Sequence, residues 1–204
     1  MTWGTVMRRH SRWDGVRCAF VVVTMALTVV AGDGTAVQLG DFESGDDGWR
    51  LSLGREFPGA HGNAVRDDAT AGAGQWALRL DGAFGEGGNY VAACCDLATP
   101  VEAQSLRFRA RGINVSAVVV RIRDATGQCH QQSIELPDVD GWQTVEVRDL
   151  ASRGGGGFWG GAQDGVWHGP AQAVAIILDG GRLRSPAVKR GVLWIDAVEL
   201  IGKP

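Results

Sequence analysis

Several things are missing from this sequence, and each absence removes a class of protein. Beyond residue 36, helix signals nearly vanish, so an α-helical or alternating α/β domain is excluded. No internal repeat is present, which removes solenoids and propellers. No Gly-x-Ser-x-Gly elbow, phosphate-binding loop or His-Glu-x-x-His helix occurs, which removes the commonest hydrolase, nucleotide and metalloprotease signatures. No Cys-x-x-Cys or His-x-x-x-His pair occurs either, so zinc has little support. Positive charge is not in excess: beyond residue 36 there are 16 Lys+Arg against 21 Asp+Glu, about −5. A nucleic-acid partner, which needs a basic surface, is therefore not expected. The uncharged run Cys18–Gly32 is shorter than the roughly 20 apolar residues of a bilayer span.

That run is informative for what precedes and ends it. Arg8, Arg9, Arg12 and Arg17 lead into CAFVVVTMALTVVAG, which closes in small residues. This is the grammar of an export signal, with cleavage after about Ala31 or Ala36. The expectation is a signal peptide over residues 1–36, one β-sandwich domain over 37–204, and a secreted or periplasmic product with no membrane attachment after cleavage. Roughly 170 residues suffice for one core and not comfortably for two. Three cysteines remain, Cys94, Cys95 and Cys129. Neighbours in a strand face opposite ways, so only one of Cys94 and Cys95 can readily reach Cys129.

Short segments of alternating or β-branched residues recur between Gly, Asp and Pro punctuation. They predict strands near 37–42, 50–53, 75–81, 90–96, 105–112, 117–124, 129–136, 142–149, 173–178 and 192–201, an all-β jelly-roll sandwich. Asp124-Ala-Thr-Gly127 and Pro137-Asp-Val-Asp-Gly141 are turn sequences, from which 105–149 reads as an antiparallel meander. On that reading Arg107, Arg109, Arg111, Arg121 and Arg123 share one polar side of neighbouring strands. Segments 54–74 and 150–172 read as long loops, the second carrying Gly154 to Gly157 and FWGGAQDGVWHGP.

The ends of the domain carry a resemblance. Asp41-Phe-Glu-Ser-Gly-Asp-Asp-Gly-Trp49 and Leu193-Trp-Ile-Asp-Ala-Val-Glu-Leu200, with QWALRLDG and GWQTVEVRDL between them, resemble the galactose-binding-like β-sandwich families. These include many carbohydrate-binding modules appended to secreted glycoside hydrolases. The resemblance implies non-catalytic binding of a poly- or oligosaccharide, with a glycoside hydrolase as a partner. It also implies a structural calcium where the chain ends meet, held by Glu43 and Asp196, with Asp41 beside them and Asp67 or Asp68 as further candidates.

A sugar site needs an aromatic plate beside planar hydrogen-bonding groups. Of the six tryptophans beyond the leader, Trp49, Trp76, Trp142 and Trp194 fall in or beside strands and read as core. Trp159 and Trp167 lie in the glycine-rich loop with Gln163, Asp164 and His168, the first candidate ligand contacts. The second candidate is the arginine-bearing face, represented by Arg109 and Arg121, which suits an acidic polysaccharide. Two alternatives stand beside the binding module. One is a jelly-roll polysaccharide lyase or glycoside hydrolase, in which His130 shares a face with Tyr90, the single tyrosine. The other is a protein-binding adhesion or structural module.

Overall fold

The computed structural model describes residues 35–151 and 157–202. Residues 1–34 of the expected leader, and with them the Ala31 cleavage point, lie outside the described residues, as do Gly154 to Gly156. Within them run twelve strands: β1 (Ala36–Gly40), β2 (Arg50–Ser52), β3 (His61–Asp67), β4 (Ala77–Ala83), β5 (Tyr90–Val101), β6 (Ser105–Ile113), β7 (Ala117–Arg123), β8 (Cys129–Glu135), β9 (Gln143–Val147), β10 (Phe158–Trp159), β11 (Ala171–Asp179) and β12 (Arg190–Ile201). The second cleavage candidate, Ala36, is the first residue of β1 and pairs with Ile201.

The strands form two six-stranded antiparallel sheets. The first has the order β3-β4-β12-β6-β9, with β1 also paired to β12; the second has the order β10-β8-β7-β11-β5-β2. Their inner faces interdigitate through alternating apolar residues. Leu78, Leu80, Leu106, Phe108, Leu193 and Ile195 come from the first sheet; Val91, Val118, Val120, Ile122, Ile176 and Leu178 come from the second, and all are buried. Each such side chain taken from water contributes about 1.5–3 kcal/mol.

The closing strand β12 carries a bulge between Asp196 and Glu199, with Ala197 at φ +46°. The extra residue resets the alternation, so Val198 and Leu200 return to the core beyond it. The opening strand pairs with β12; just beyond, Phe42 and Trp49 pack edge to face, and the Trp49 indole Nε1 donates to the Leu39 carbonyl at 2.9 Å. Gly40 permits this packing, because a Cβ there would lie 2.7 Å from Phe42 and 2.9 Å from Trp49.

The expected meander over 105–149 is corrected. Strand β6 belongs to the first sheet, β7 and β8 form a hairpin in the second, and β9 returns to pair with β6. Asp124–Gly127 is the tight turn expected, with Gly127 at φ +86°, whereas Pro137–Gly141 carries the chain from one sheet to the other. The five arginines therefore divide: Arg107, Arg109 and Arg111 lie on the first sheet, Arg121 and Arg123 on the second. Two strands were not expected, β3 inside the supposed loop 54–74, and β10 inside the glycine-rich segment.

Candidate functional site

Period-two alternation gives the second sheet a patterned outer face. Tyr90, Ala92 and Cys94 come from β5, Ala175 and Ile177 from β11, Val119, Arg121 and Arg123 from β7, and Cys129, Gln131 and Ser133 from β8. Cross-strand pairing places Gln131, Arg121, Ala175, Cys94 and Arg50 in one row. The next row holds Trp159, Cys129, Arg123, Ala173 and Asp96. Small side chains thus floor the central strands β11 and β5, with long polar and aromatic ones rising on either side. Tyr90, Ala92, Val119, Ala175 and Ile177 form an apolar cluster separate from the main core.

Arg121 organises this face. Its Nε and Nη2 donate to Gln131 Oε1 at 3.2 and 3.0 Å. Its guanidinium carbon lies 4.8 Å from the Trp159 ring centre and 5.3 Å from that of Tyr90, so it bridges two aromatic rings. The Tyr90 hydroxyl donates to Glu56, which reaches over from the loop after β2. That bond holds the Glu56 carboxyl below its ordinary range, while burial and then the same contact push the Tyr90 phenol up. At neutral pH the pair is a phenol donating to a carboxylate. In the neighbouring row Asp96 is held ionised chiefly by Arg50, with Arg123 at 3.2 Å as a second partner. Trp159 is 42% exposed at the sheet edge. An open aromatic plate, a forked donor, an amide and carboxylates therefore meet on one surface, the set of groups that hydrogen-bonds hydroxyls and stacks on an apolar sugar face.

The loop constellation expected around Trp159 does not stay together. Trp167 packs half-buried against the core and the His130 ring, centres 5.4 Å apart. Gln128, fully buried, accepts the amides of Asp164 and Gly165 through Oε1 and donates through Nε2 to the Val166 carbonyl at 2.9 Å. Asp164 pairs with His168 at 2.9 Å, and the His168 amide donates to Asp124. Gln163 is an exposed turn residue at φ +55°. Burial pushes the Asp124 carboxyl up, but bonds from Thr126, His130 and two amides outweigh it and hold it below its ordinary range. These groups fasten residues 160–168 onto the β7–β8 turn; only Trp159 reaches the outer face. Arg109 is corrected likewise: it lies on the other sheet, opposite Asp196 and Thr144.

The catalytic alternative loses its expected geometry, because His130 points inward and is buried while Tyr90 lies on the outer face. The cysteines also separate. Cys94 and Cys129 share the outer face, but β7 and β11 stand between their strands. At about 4.8 Å per strand they are roughly 14 Å apart, beyond the roughly 7 Å span of a disulfide. Cys95 turns into the core, and all three are free thiols.

Of the residues nominated for calcium, Glu43 and Asp196 converge on one loop, which turns N–H groups rather than oxygens toward them. Asp196 Oδ2 accepts the amides of Gly72 and Ala73, both at 2.8 Å, and its Oδ1 accepts that of Ala197. Glu43 Oε1 accepts Gln75 and Trp76, and Asp41 accepts the Glu43 amide. Calcium needs six to eight oxygens, whereas here backbone N–H groups face the carboxylates. Asp67 is engaged by Arg79 and by Trp194 Nε1. Burial, then the nearby charge of Glu43, hold Asp196 above its ordinary range despite those amides. The residues do not fit the ion.

A cavity of about 890 Å³ lies between β1 and β5, lined by Val37, Leu39, Leu97 and Val101 among others, and borders the arginine–aromatic face at Asp96. It contains no aromatic side chain, so it offers no plate for a sugar ring.

No protein-family model matches the sequence, and no curated protein matches it. Solved structures do. A family 11 carbohydrate-binding module from Clostridium thermocellum, in complex with a β-1,3-1,4-mixed-linked tetrasaccharide, superposes with a TM-score of 0.57 at 15% identity, covering 84% of this chain and 98% of that one. This chain shares the β-sandwich fold of that module. TmCBM61, in complex with β-1,4-galactotriose, is similar at a TM-score of 0.47 and 13% identity, over 80% of this chain and 92% of that one. A family 29 module complexed with mannohexaose has a TM-score of 0.47 at 12% identity, over 82% and 92%. The jelly-roll β-sandwich expected from the sequence is the fold observed.

Gln131, Glu56, Arg50 and Asp96 were not nominated from sequence, and Tyr90 was named only for the catalytic alternative. Tyr90 heads YVAACCD, where both faces are small or apolar and alternation is masked. Glu56 sits in a loop whose position depends on the strands it joins.

Proposed function

We propose that this protein binds carbohydrate, without chemistry of its own, on the outer face of the second sheet. The observation that carries the reading is the Trp159–Arg121–Tyr90 stack, with Gln131 and Glu56 hydrogen-bonded to it. Trp159 supplies the open plate; Arg121, Gln131 and Glu56 supply donors and acceptors fixed before a ligand arrives, which limits the ordering cost of binding. The fold shared with a module solved around a tetrasaccharide supports the same reading.

The arginine-rich leader and its small-residue end support export to the periplasm or medium. N-terminal sequencing of the exported product should begin after Ala31 or Ala36. A glycoside hydrolase that the module serves is the partner this reading implies.

Incubating the protein with a panel of insoluble and immobilised polysaccharides tests the proposal. Depletion from solution without new reducing ends or unsaturated products is the expected result. Product formation would make it an enzyme, and no retention by any polysaccharide would leave a protein-binding module.

A further inference from the structure

Resting on that reading, we infer that the ligand is an acidic glycan, recognised through Arg121 by a uronate carboxylate or a sulfate ester. The inference comes from how charge is distributed among the described residues. On the first sheet Arg107 pairs with Glu199 at 2.9 Å, Arg111 with Asp140 at 2.9 Å, and Arg79 with both Asp67 and Asp81, while Arg109 between them makes no ion pair. The second sheet differs in holding an arginine without an acid between two aromatic rings. Arg50 and Arg123 share the single carboxylate of Asp96, and Glu56 is engaged by the Tyr90 hydroxyl. Arg121 makes no ion pair; its bonds go to the neutral Gln131 amide and, at 3.5 Å, to the Tyr90 hydroxyl.

Of the three arginines on this face Arg121 is therefore the one without an acidic partner; the other acids in the same alternation, Glu135 and Asp179, stand at the strand ends. The unmatched cation sits mid-sheet, half-buried and held by two aromatic rings. A guanidinium fixed in this way presents its remaining N–H groups in a rigid fork, which suits a carboxylate or sulfate better than a hydroxyl. Trp159 beside it takes the ring face of the same sugar unit. A neutral glycan would leave the charge half-desolvated and unpaired, whereas an acidic one completes it.

The test compares retention of the full chain by polygalacturonate and by its methyl ester, and by dextran sulfate and by dextran. Stronger retention of a charged form over its neutral counterpart, by about tenfold or more, is expected; which pair shows it separates uronate from sulfate. Arg121→Gln should abolish the preference and Arg109→Gln, on the other sheet, should leave it intact. Equal retention of charged and neutral forms, or a preference that survives Arg121→Gln, would overturn the inference while leaving carbohydrate binding standing. Retention by none of the four, nor by a neutral mixed-linkage glucan, would overturn the binding reading itself. Should Arg121→Gln not fold, the comparison of ester with free acid on the unaltered chain decides alone.

Discussion

The two tryptophans of the glycine-rich segment show how neighbouring residues acquire different work. Trp159 pairs through β10 with Cys129 and so shares the phase of the outer face, whereas Trp167, past the turn fastened by Gln128, packs against the core. Trp159→Ala should reduce polysaccharide retention by about tenfold or more and lower stability by less than about 1 kcal/mol, since the side chain is open to solvent. Trp167→Ala should cost about 2–3 kcal/mol through the cavity left beside His130. Thermal melts alongside retention assays check both, and equal effects in the two variants would refute the division. The same segment carries a pH signature. The Asp164 carboxyl is lowered from 3.8 to about 2, first by the Val166 amide and then by His168. A depressed acid contributes stability above its unfolded value and loses it as pH falls through the folded one. The Asp164 side-chain carboxyl resonance should therefore titrate with a midpoint near 2; a midpoint near 4 would contradict the hydrogen bond. Trp159 was legible from its neighbours in sequence. Tyr90 was not, because its role depends on Arg121, which is 31 residues away and meets it only across β11.

Among the elements, the loop 68–76 is anchored by two carboxylates that accept four of its amides, Glu43 from the segment after β1 and Asp196 from the bulge of β12. Asp196→Asn turns a donor toward N–H groups that need an acceptor, and should cost about 1–3 kcal/mol. Calcium added to chelator-treated protein should neither release heat nor raise the melting temperature; a saturable thermal shift lost in Asp196→Asn would show that the loop can turn its carbonyls inward to hold the ion. Strand existence was readable in ten of the cases attempted because alternation is local. Strand order was not. Nothing in LRFRARG or AVVVRIR says that β6 and β7 belong to different sheets, so arginines that look adjacent in sequence end on opposite faces of the molecule. Strand β3, His61–Asp67, escaped notice because its exposed edge tolerates glycine and charge, and two-residue β10 has no pattern to detect.

For the whole molecule, the opening and closing segments carry the fold and say little about the ligand. Asp41–Trp49 and Leu193–Leu200 meet through β1 and β12, and their sequences are dictated by packing, a bulge and amide anchoring, all of which serve the sandwich whatever it binds. The proposed binding surface is assembled instead from β2, β5, β7, β8, β10, β11 and the loop after β2, spread over residues 50–179, which is why the sandwich was legible in the sequence and the face was not. The account stands on the location of that face. Titrating an acidic oligosaccharide into isotope-labelled protein and mapping the backbone and indole resonances tests it most directly. Shifts concentrated at Tyr90, Cys94, Arg121, Gln131 and the Trp159 indole are the predicted result, whereas shifts confined to residues 68–76 or to the groove between β1 and β5 would contradict it.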